Sequence, residues 1–275
     1  MTERELAGRR VVVTGASRGI GAGIAERLAA AGADLVITAR TVDRHDHLAG
    51  SLNETLELCR RHGAHVEVIA ADLSDPEDRA RIVPESVETL GGPIDVLVNN
   101  AAAGIHRPLD EFTYRHARVM FEVNVHAPLE LTQAVLPPMR ERGEGWIVNI
   151  SSGAAHLHPG PPYAPPVMPG NGMYGVVKAA LNRLTNAMAV ELWGTGVRLN
   201  TLDPVKPVAS EGAVEHLQGR IPADRFEPVE VMAEATLALA TCPADLTGHV
   251  YVDQPLLDQL GRRVMTLDGT SPLRS

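Results

Sequence analysis

Tyr174 and Lys178 stand four residues apart in the segment 173–193, whose pattern is helical, so their side chains share one helix face. A free tyrosine titrates near pH 10, too high for an efficient base at neutral pH. A neighbouring ammonium favours the phenolate and lowers that value, each pH unit corresponding to roughly 1.4 kcal/mol of differential stabilisation. The pair is therefore expected to move a proton. The chain has only two lysines, Lys178 and Lys206, so a lysine at this spacing is informative. Tyr163 lies nearer to Ser152 in sequence, but Val167 rather than a lysine follows it four residues later. It is set aside as the base and kept as a candidate substrate contact.

A second group of residues could hold phosphates. Thr14-Gly-Ala-Ser-Arg-Gly-Ile-Gly21 follows a β-branched run and opens a helical pattern, the context in which a glycine motif becomes informative. Gly15 permits a tight turn, Gly19 lets a pyrophosphate approach the backbone, and Gly21 lets the helix sit close to the sheet. Ser17, Arg18 and Ile20 complete the loop, and the helix N-terminus adds free N–H groups and a positive dipole. The second strand exits through Thr38-Ala-Arg40 with no carboxylate to accept from an adenosine ribose. Arg40, with Arg18 in the loop, instead offers planar cations to a 2′-phosphate, so NADP(H) is expected over NAD(H). Asp72 ends the third strand and either accepts from the adenine amino group or closes a turn.

In this order the motifs resemble the short-chain dehydrogenase/reductase family. The likeness runs through the glycine loop, Ala71-Asp72-Leu73, Asn99-Asn100-Ala101, Asn124 in Glu122-Val-Asn-Val125, Ser152 at the end of Ile147-Val-Asn-Ile-Ser-Ser152, Tyr174-Gly-Val-Val-Lys178, and Arg198-Leu-Asn200 followed by Asp203-Pro204-Val205. It covers about residues 8–253. The resemblance implies a catalytic set of Asn124, Ser152, Tyr174 and Lys178. Ser152 would orient the substrate oxygen, Lys178 would also hold the nicotinamide ribose, and Asn124 would support a proton-relaying water. Leu73, Asn100, Ala101, Pro204 and Val205 would join Asp72, the glycine loop and Arg40 around the cofactor. The implied reaction passes a hydride between NADP(H) and a small-molecule carbonyl or alcohol, with Tyr174 as acid or base. A homo-oligomer, tetramer or dimer, is implied as well.

The sequence departs from the family pattern at Ala102, Val205 and Gln254-Pro255, each standing where glycine is usual. Ser152 and Tyr174 are also farther apart than usual. These departures keep two alternatives open: a nucleotide-binding regulator without turnover, and an epimerase or dehydratase on the same scaffold.

The elements that must position these groups alternate between short strands and helices. Strands are expected at 10–14, 34–38, 65–71, 95–99, 145–150, 197–202 and 249–252, and helices at 20–31, 53–61, 75–90, within 112–140, and at 173–193. That alternation implies an α/β single-domain Rossmann fold over 1–275, a doubly wound parallel sheet of about seven strands flanked by helices. The stretch from Pro159 to Pro169 holds six prolines and cannot be helical. It reads as a loop insertion over 156–172 beside the site, with 254–275 as a C-terminal extension. Substrate walls are expected at 101–106, 153–172 and 205–226, whose mix of Pro, Leu, Val, Met and His suits a medium-sized, partly apolar ketone or alcohol.

Composition narrows the remaining classes. The chain has 275 residues, 44% hydrophobic, with a formal net charge of −9, which argues against a general nucleic-acid binder. The polar start, Met1–Arg10, lacks the apolar core of a signal peptide, and no apolar run approaches the ~20 residues of a membrane helix. A soluble, cytoplasmic protein is expected. Cys59 and Cys242 are the only cysteines, too few for a disulfide scaffold. His156 and His158 lack further ligands at metal-site spacing, so no metal is expected.

Overall fold

The computed structural model describes residues 4–43, 49–163, 168–209 and 222–273. Seven strands, β1 (Arg10–Thr14), β2 (Asp34–Ala39), β3 (Val66–Ala70), β4 (Val96–Asn99), β5 (Gly145–Ile150), β6 (Val197–Asp203) and β7 (Val250–Val252), form one sheet in the order β3-β2-β1-β4-β5-β6-β7. Every pairing is parallel. The order reverses between β1 and β4, and such a switch point opens a crevice at the carboxyl ends of the strands.

The strands are apolar on both faces because both faces are covered. Val11 and Val13 point into one core and Val12 into the other. The first core is roofed by α1 (Gly19–Ala30), α2 (Leu52–Arg60), α7 (Val229–Ala240) and α8 (Asp253–Leu260); the second by α3 (Pro76–Thr89), α5 (Ala127–Arg142) and α6 (Gly172–Leu192). A Cβ on Gly23 would meet Val229 at 2.7 Å, so glycine is what lets α1 lie against α7. Helix α3 starts as its sequence suggests: the Asp75 carboxylate accepts from the Glu77 N–H and Pro76 occupies the first turn.

The expected long helix within 112–140 has an internal break in its regularity. Helix α4 (Tyr114–Phe121) runs into a five-residue π turn, Glu122–His126, before α5 begins. Two further helices were not evident from the sequence. In α7 every residue from Val231 to Ala240 is buried, leaving no polar face to mark it. Helix α8 opens the C-terminal extension, which then returns toward α1, where Leu267 reaches the neighbourhood of Gly23. There Arg262 binds Glu5 and the buried Glu234, which Arg27 also holds at 2.7 Å. Among the described residues of the Pro-rich insertion only Gly172 lies in an α-helix, as the first residue of α6, and none lies in a strand; residues 164–167 and 210–221 of the expected substrate walls lie outside the described residues. Among the described residues no helix is long and apolar enough to cross a membrane.

Candidate active site

The glycine loop sits at the switch point. Gly15 has φ +67°, and a Cβ there would fall 2.6 Å from the Ala101 Cα. A Cβ on Gly21 would run into the Gly15 carbonyl and the Asn100 amide. Both positions are therefore closed to side chains by steric contact. The loop is fixed from β4 and α2. Asn100 donates to the Thr14 and Gly15 carbonyls at 2.9 and 3.1 Å, and the Thr14 hydroxyl accepts from the N–H groups of Asn100 and Ala101. Thr55 on α2 donates to the Ala16 carbonyl at 2.8 Å. Thr14 opens the glycine motif but was given no role from sequence, and Thr55 belongs to no motif; both act through tertiary contact.

Arg18 occupies the N-cap position of α1 in extended backbone and offers no side-chain cap, so the first N–H groups of the helix keep no side-chain acceptor from that position. Its Nη2 reaches the Thr41 hydroxyl at 3.4 Å, whereas Nη1 is buried with no hydrogen-bond partner among the described residues. Arg40 is exposed one residue before Thr41, so both arginines stand at the exit of β2. Asp72 closes a turn: its Oδ1 accepts from both the N–H and the hydroxyl of Ser74, and Leu73 beside it is buried.

Helix α6 gathers the other candidates. Lys178 is 1% exposed and its ammonium donates to the Ile150 carbonyl at 2.9 Å, while lying 5.7 Å from the centre of the Tyr174 ring. Ser152 caps a 3₁₀ turn, Gly153–Ala155, by accepting from the Ala154 N–H at 3.2 Å. That leaves its own hydroxyl proton available to a third group. The turn packs on α6 so tightly that a Cβ on Gly175 would come within 2.5 Å of the Ala154 carbonyl oxygen. The long Pro-rich excursion between Ser152 and Tyr174 thus does not separate the segments that carry them. The π turn also packs on α6. Asn124 at its centre is fully buried and donates to the Ala103 and Met120 carbonyls at 2.9 and 2.8 Å, while its Oδ1 has no partner among the described residues. Such one-residue widenings of a helix recur at functional sites.

The electrostatics correct one step of the sequence argument. Burial, then the negative charge of Asp203, push the Tyr174 phenol up to about 12. Burial pulls Lys178 down to about 8, with Asp203 opposing. Helical spacing alone predicts a phenol made more acidic by its ammonium neighbour; desolvation and a carboxylate from β6 outweigh that effect. Asp203 is fully buried, and His156 Nε2 lies 3.1 Å from its Oδ2. His106 faces the Tyr174 ring edge-on at 6.0 Å. Neither His106 nor Asp203 was assigned to the site from sequence, although each lies within a segment that was.

Backbone conformation accounts for two of the departures from glycine, Ala102 after β4 and Val205 after β6. Among the described residues no non-glycine residue has a positive φ, so Ala102 and Val205 adopt backbone that any residue tolerates. The Val205 N–H donates to Asp253 Oδ1 at 3.0 Å, and the Lys206 N–H to Glu227 Oε2 at 3.3 Å. Glu227 is buried, and desolvation followed by its hydrogen bond to Asp253 and that group's charge pushes it up to about 9. It thus holds its proton in the fold and loses it near pH 4.3 when unfolded. Stability is expected to fall as pH rises from about 4.5 toward 9, the window in which only the folded state keeps the proton. Thermal denaturation across that range should show this slope reduced in Glu227→Gln, and an unaltered slope would contradict the assignment.

What this geometry defines is an oxidoreductase built on a Rossmann sheet. Residues 9–213 match the family model for short chain dehydrogenase, and the chain belongs to the short-chain dehydrogenase family. Human L-xylulose reductase is 33% identical over 251 residues, covering 88% of this chain and 93% of that protein. The gluconate 5-dehydrogenase of Gluconobacter oxydans is 33% identical over 245 residues, with 86% and 89% covered. A solved 3-oxoacyl (acyl-carrier-protein) reductase from Agrobacterium tumefaciens, with NADP bound, superimposes with a TM-score of 0.74 at 29% identity, covering 91% of this chain and 95% of that one.

Proposed function

We propose that the protein is an NADP(H)-dependent reductase of small-molecule carbonyl compounds, in which Tyr174 is the proton donor, Ser152 orients the substrate oxygen, Lys178 holds the cofactor ribose and Asn124 supports the proton path to solvent. The observation that carries the dinucleotide reading is the steric closure of Gly15 and Gly21 beneath the α1 N-terminus, which leaves a cradle lined by main-chain N–H groups. The preference for the phosphorylated cofactor is supported by Arg18 Nη1, which is buried with no hydrogen-bond partner among the described residues, and by the NADP bound in a solved relative. Asp72 contributes to the adenine side through whichever lone pairs Ser74 leaves, and Pro204 and Val205 border the nicotinamide end.

When bound, NADPH supplies hydride to the carbonyl carbon. The chain's own residues do the rest. The Ser152 hydroxyl, its oxygen already engaged by Ala154, directs its proton to the substrate oxygen. Tyr174 passes its proton to that same oxygen as negative charge develops there. Lys178 uses one N–H on Ile150 and keeps the other two for ribose hydroxyls. Sugar-type ketones and oxoacyl compounds are the substrate classes suggested by the relatives. Incubation with NADPH and a panel of both classes should show steady loss of the reduced-nicotinamide absorbance with at least one of them. Binding of NADPH with no oxidation by any member of the panel would favour a regulator instead. Conversion without net cofactor change would favour an epimerase.

A further inference from the structure

Arg79 joins two parts of the site that lie far apart in the chain. It stands near the start of α3, and its side chain is 3% exposed. A buried guanidinium is costly unless its N–H groups are paired, and this one is paired toward three segments. Nη1 donates to the Leu73 carbonyl at 2.9 Å, in the turn that follows β3. The same nitrogen donates at 2.8 Å to Oε2 of Glu122, the first residue of the π turn. Nε and Nη2 hold Glu130 on α5 in a two-pronged contact at 2.7 and 2.9 Å, the strong fork geometry of arginine with a carboxylate.

Glu122 and Glu130 are eight positions apart. In an unbroken α-helix, at about 100° per residue, that spacing leaves two side chains roughly 80° apart around the axis. The π turn absorbs one residue, for the Ala127 N–H donates to the Glu122 carbonyl five positions back. The phase then advances as if by seven residues, close to two full turns, and the two carboxylates share a face. Two like charges held against one side chain repel, and the guanidinium that both of them touch compensates that repulsion. Arg79 therefore fits the widened helix; a regular one would turn one of its two acidic partners away.

We propose that Arg79 is a positioning residue that clamps the π turn in its widened register and so fixes where Asn124, two residues beyond Glu122, presents its unpartnered Oδ1. Its catalytic consequence rests on reading Asn124 as part of the proton path; the clamp itself does not. Through Leu73 the same guanidinium fixes the turn proposed to border the adenine. Asp78 steadies that turn as well, accepting from the Asp72 N–H at 2.7 Å. One buried side chain thus sets the adenine end of the site and the Asn124 turn relative to each other.

Two variants separate these arms. Glu122→Ala frees the π turn but leaves Arg79 on Glu130 and Leu73, so the fold keeps its main ion pair. Arg79→Met, similar in length and uncharged, releases all three contacts. Amide hydrogen exchange read by mass spectrometry needs neither substrate nor cofactor. Residues 120–128 are expected to exchange about tenfold faster in both variants, the worth of one charge-assisted hydrogen bond, with the strands protected as in wild type. Unchanged exchange in 120–128 of a folded variant overturns the clamp. So does a return to the wild-type rate in Arg79→Met/Glu122→Gln/Glu130→Gln, which would show that repulsion alone had loosened the turn. Turnover is then measured with a carbonyl compound that the wild type reduces. Glu122→Ala is expected to lower kcat about tenfold while KM and NADPH affinity stay within about twofold, because only the placement of Asn124 changes. A lowered melting temperature with kcat unaltered would mark a purely structural ion pair and overturn the positioning role. Arg79→Lys, which keeps the charge but not the fork, should restore only part of kcat relative to Arg79→Met. A wild type that oxidises no NADPH, with the turn loosened in the variants as expected, would defeat the reductase reading and leave the clamp standing.

Discussion

Tyr174→Phe is expected to lose turnover by about 10²–10⁴-fold, the usual worth of a positioned general acid, while NADPH affinity stays within a few-fold of wild type. The substitution removes one oxygen and little else. The Tyr174 ring packs edge-on against His106 and beneath the Lys178 ammonium, and a phenyl ring retains both contacts. The Lys178 ammonium is anchored by Ile150 rather than by the phenol, so the end of the site proposed to hold the ribose keeps its geometry. No neighbouring phenol is placed to take over: Tyr163 is 66% exposed and has no lysine one helical turn away. Single-turnover NADPH oxidation, with cofactor binding followed by fluorescence, separates the two quantities. Turnover within a few-fold of wild type would refute Tyr174 as the proton donor.

Replacing Arg18 and Arg40 together by alanine is expected to weaken NADPH by about 10–100-fold and to leave NADH nearly unchanged. A hydrogen bond to a charged group contributes roughly 1.5–3 kcal/mol, and the 2′-phosphate is the only part of the cofactor that distinguishes the two nucleotides. Arg18 carries most of this expectation. Its Nη1 is buried without a partner among the described residues, so a phosphate there gains a bond at little further desolvation cost, whereas Arg40 is exposed and its charge is screened by solvent. The Arg18→Ala single variant should therefore account for the larger share. Titrations with both cofactors decide the matter, and equal losses for NADPH and NADH would remove the argument for the phosphorylated form.

The sheet and its order of elements were legible from the chain because both of its faces are covered. Runs such as Val11-Val12-Val13 and Val96-Leu97-Val98 leave no other reading, and the glycine loop announces itself by following the first of them. The pairing of Tyr174 with Lys178 was legible because helical spacing is local. What escaped the sequence depends on distance in space. The burial and the Asp203 charge that push the Tyr174 phenol up arise from packing and from a residue 29 positions further along the chain, neither of which helical spacing marks. Helix α7 was invisible because amphipathic patterning vanishes when both faces are buried. Glu227 and Asp253 meet only because the loop after β6 and the start of α8 converge, and nothing in either local sequence marks a shared proton. Asn124 was found through its motif, but its widened turn was not, since a π turn has no composition of its own.

That widened turn also fixes the rotational phase of everything after it. One extra residue in a helix advances the following side chains by about 100°. Leu131, Val135 and Met139, which α5 turns toward the sheet, owe their inward direction to the surplus residue between Phe121 and Ala127. A chain shortened by one residue in this interval would still spell a helix, yet it would swing that apolar stripe toward water and carry Asn124 off the α6 face. The apparent irregularity is a frame marker: it lets a single rod serve the chemistry in its first half and the packing of the domain in its second, each in its own angular register.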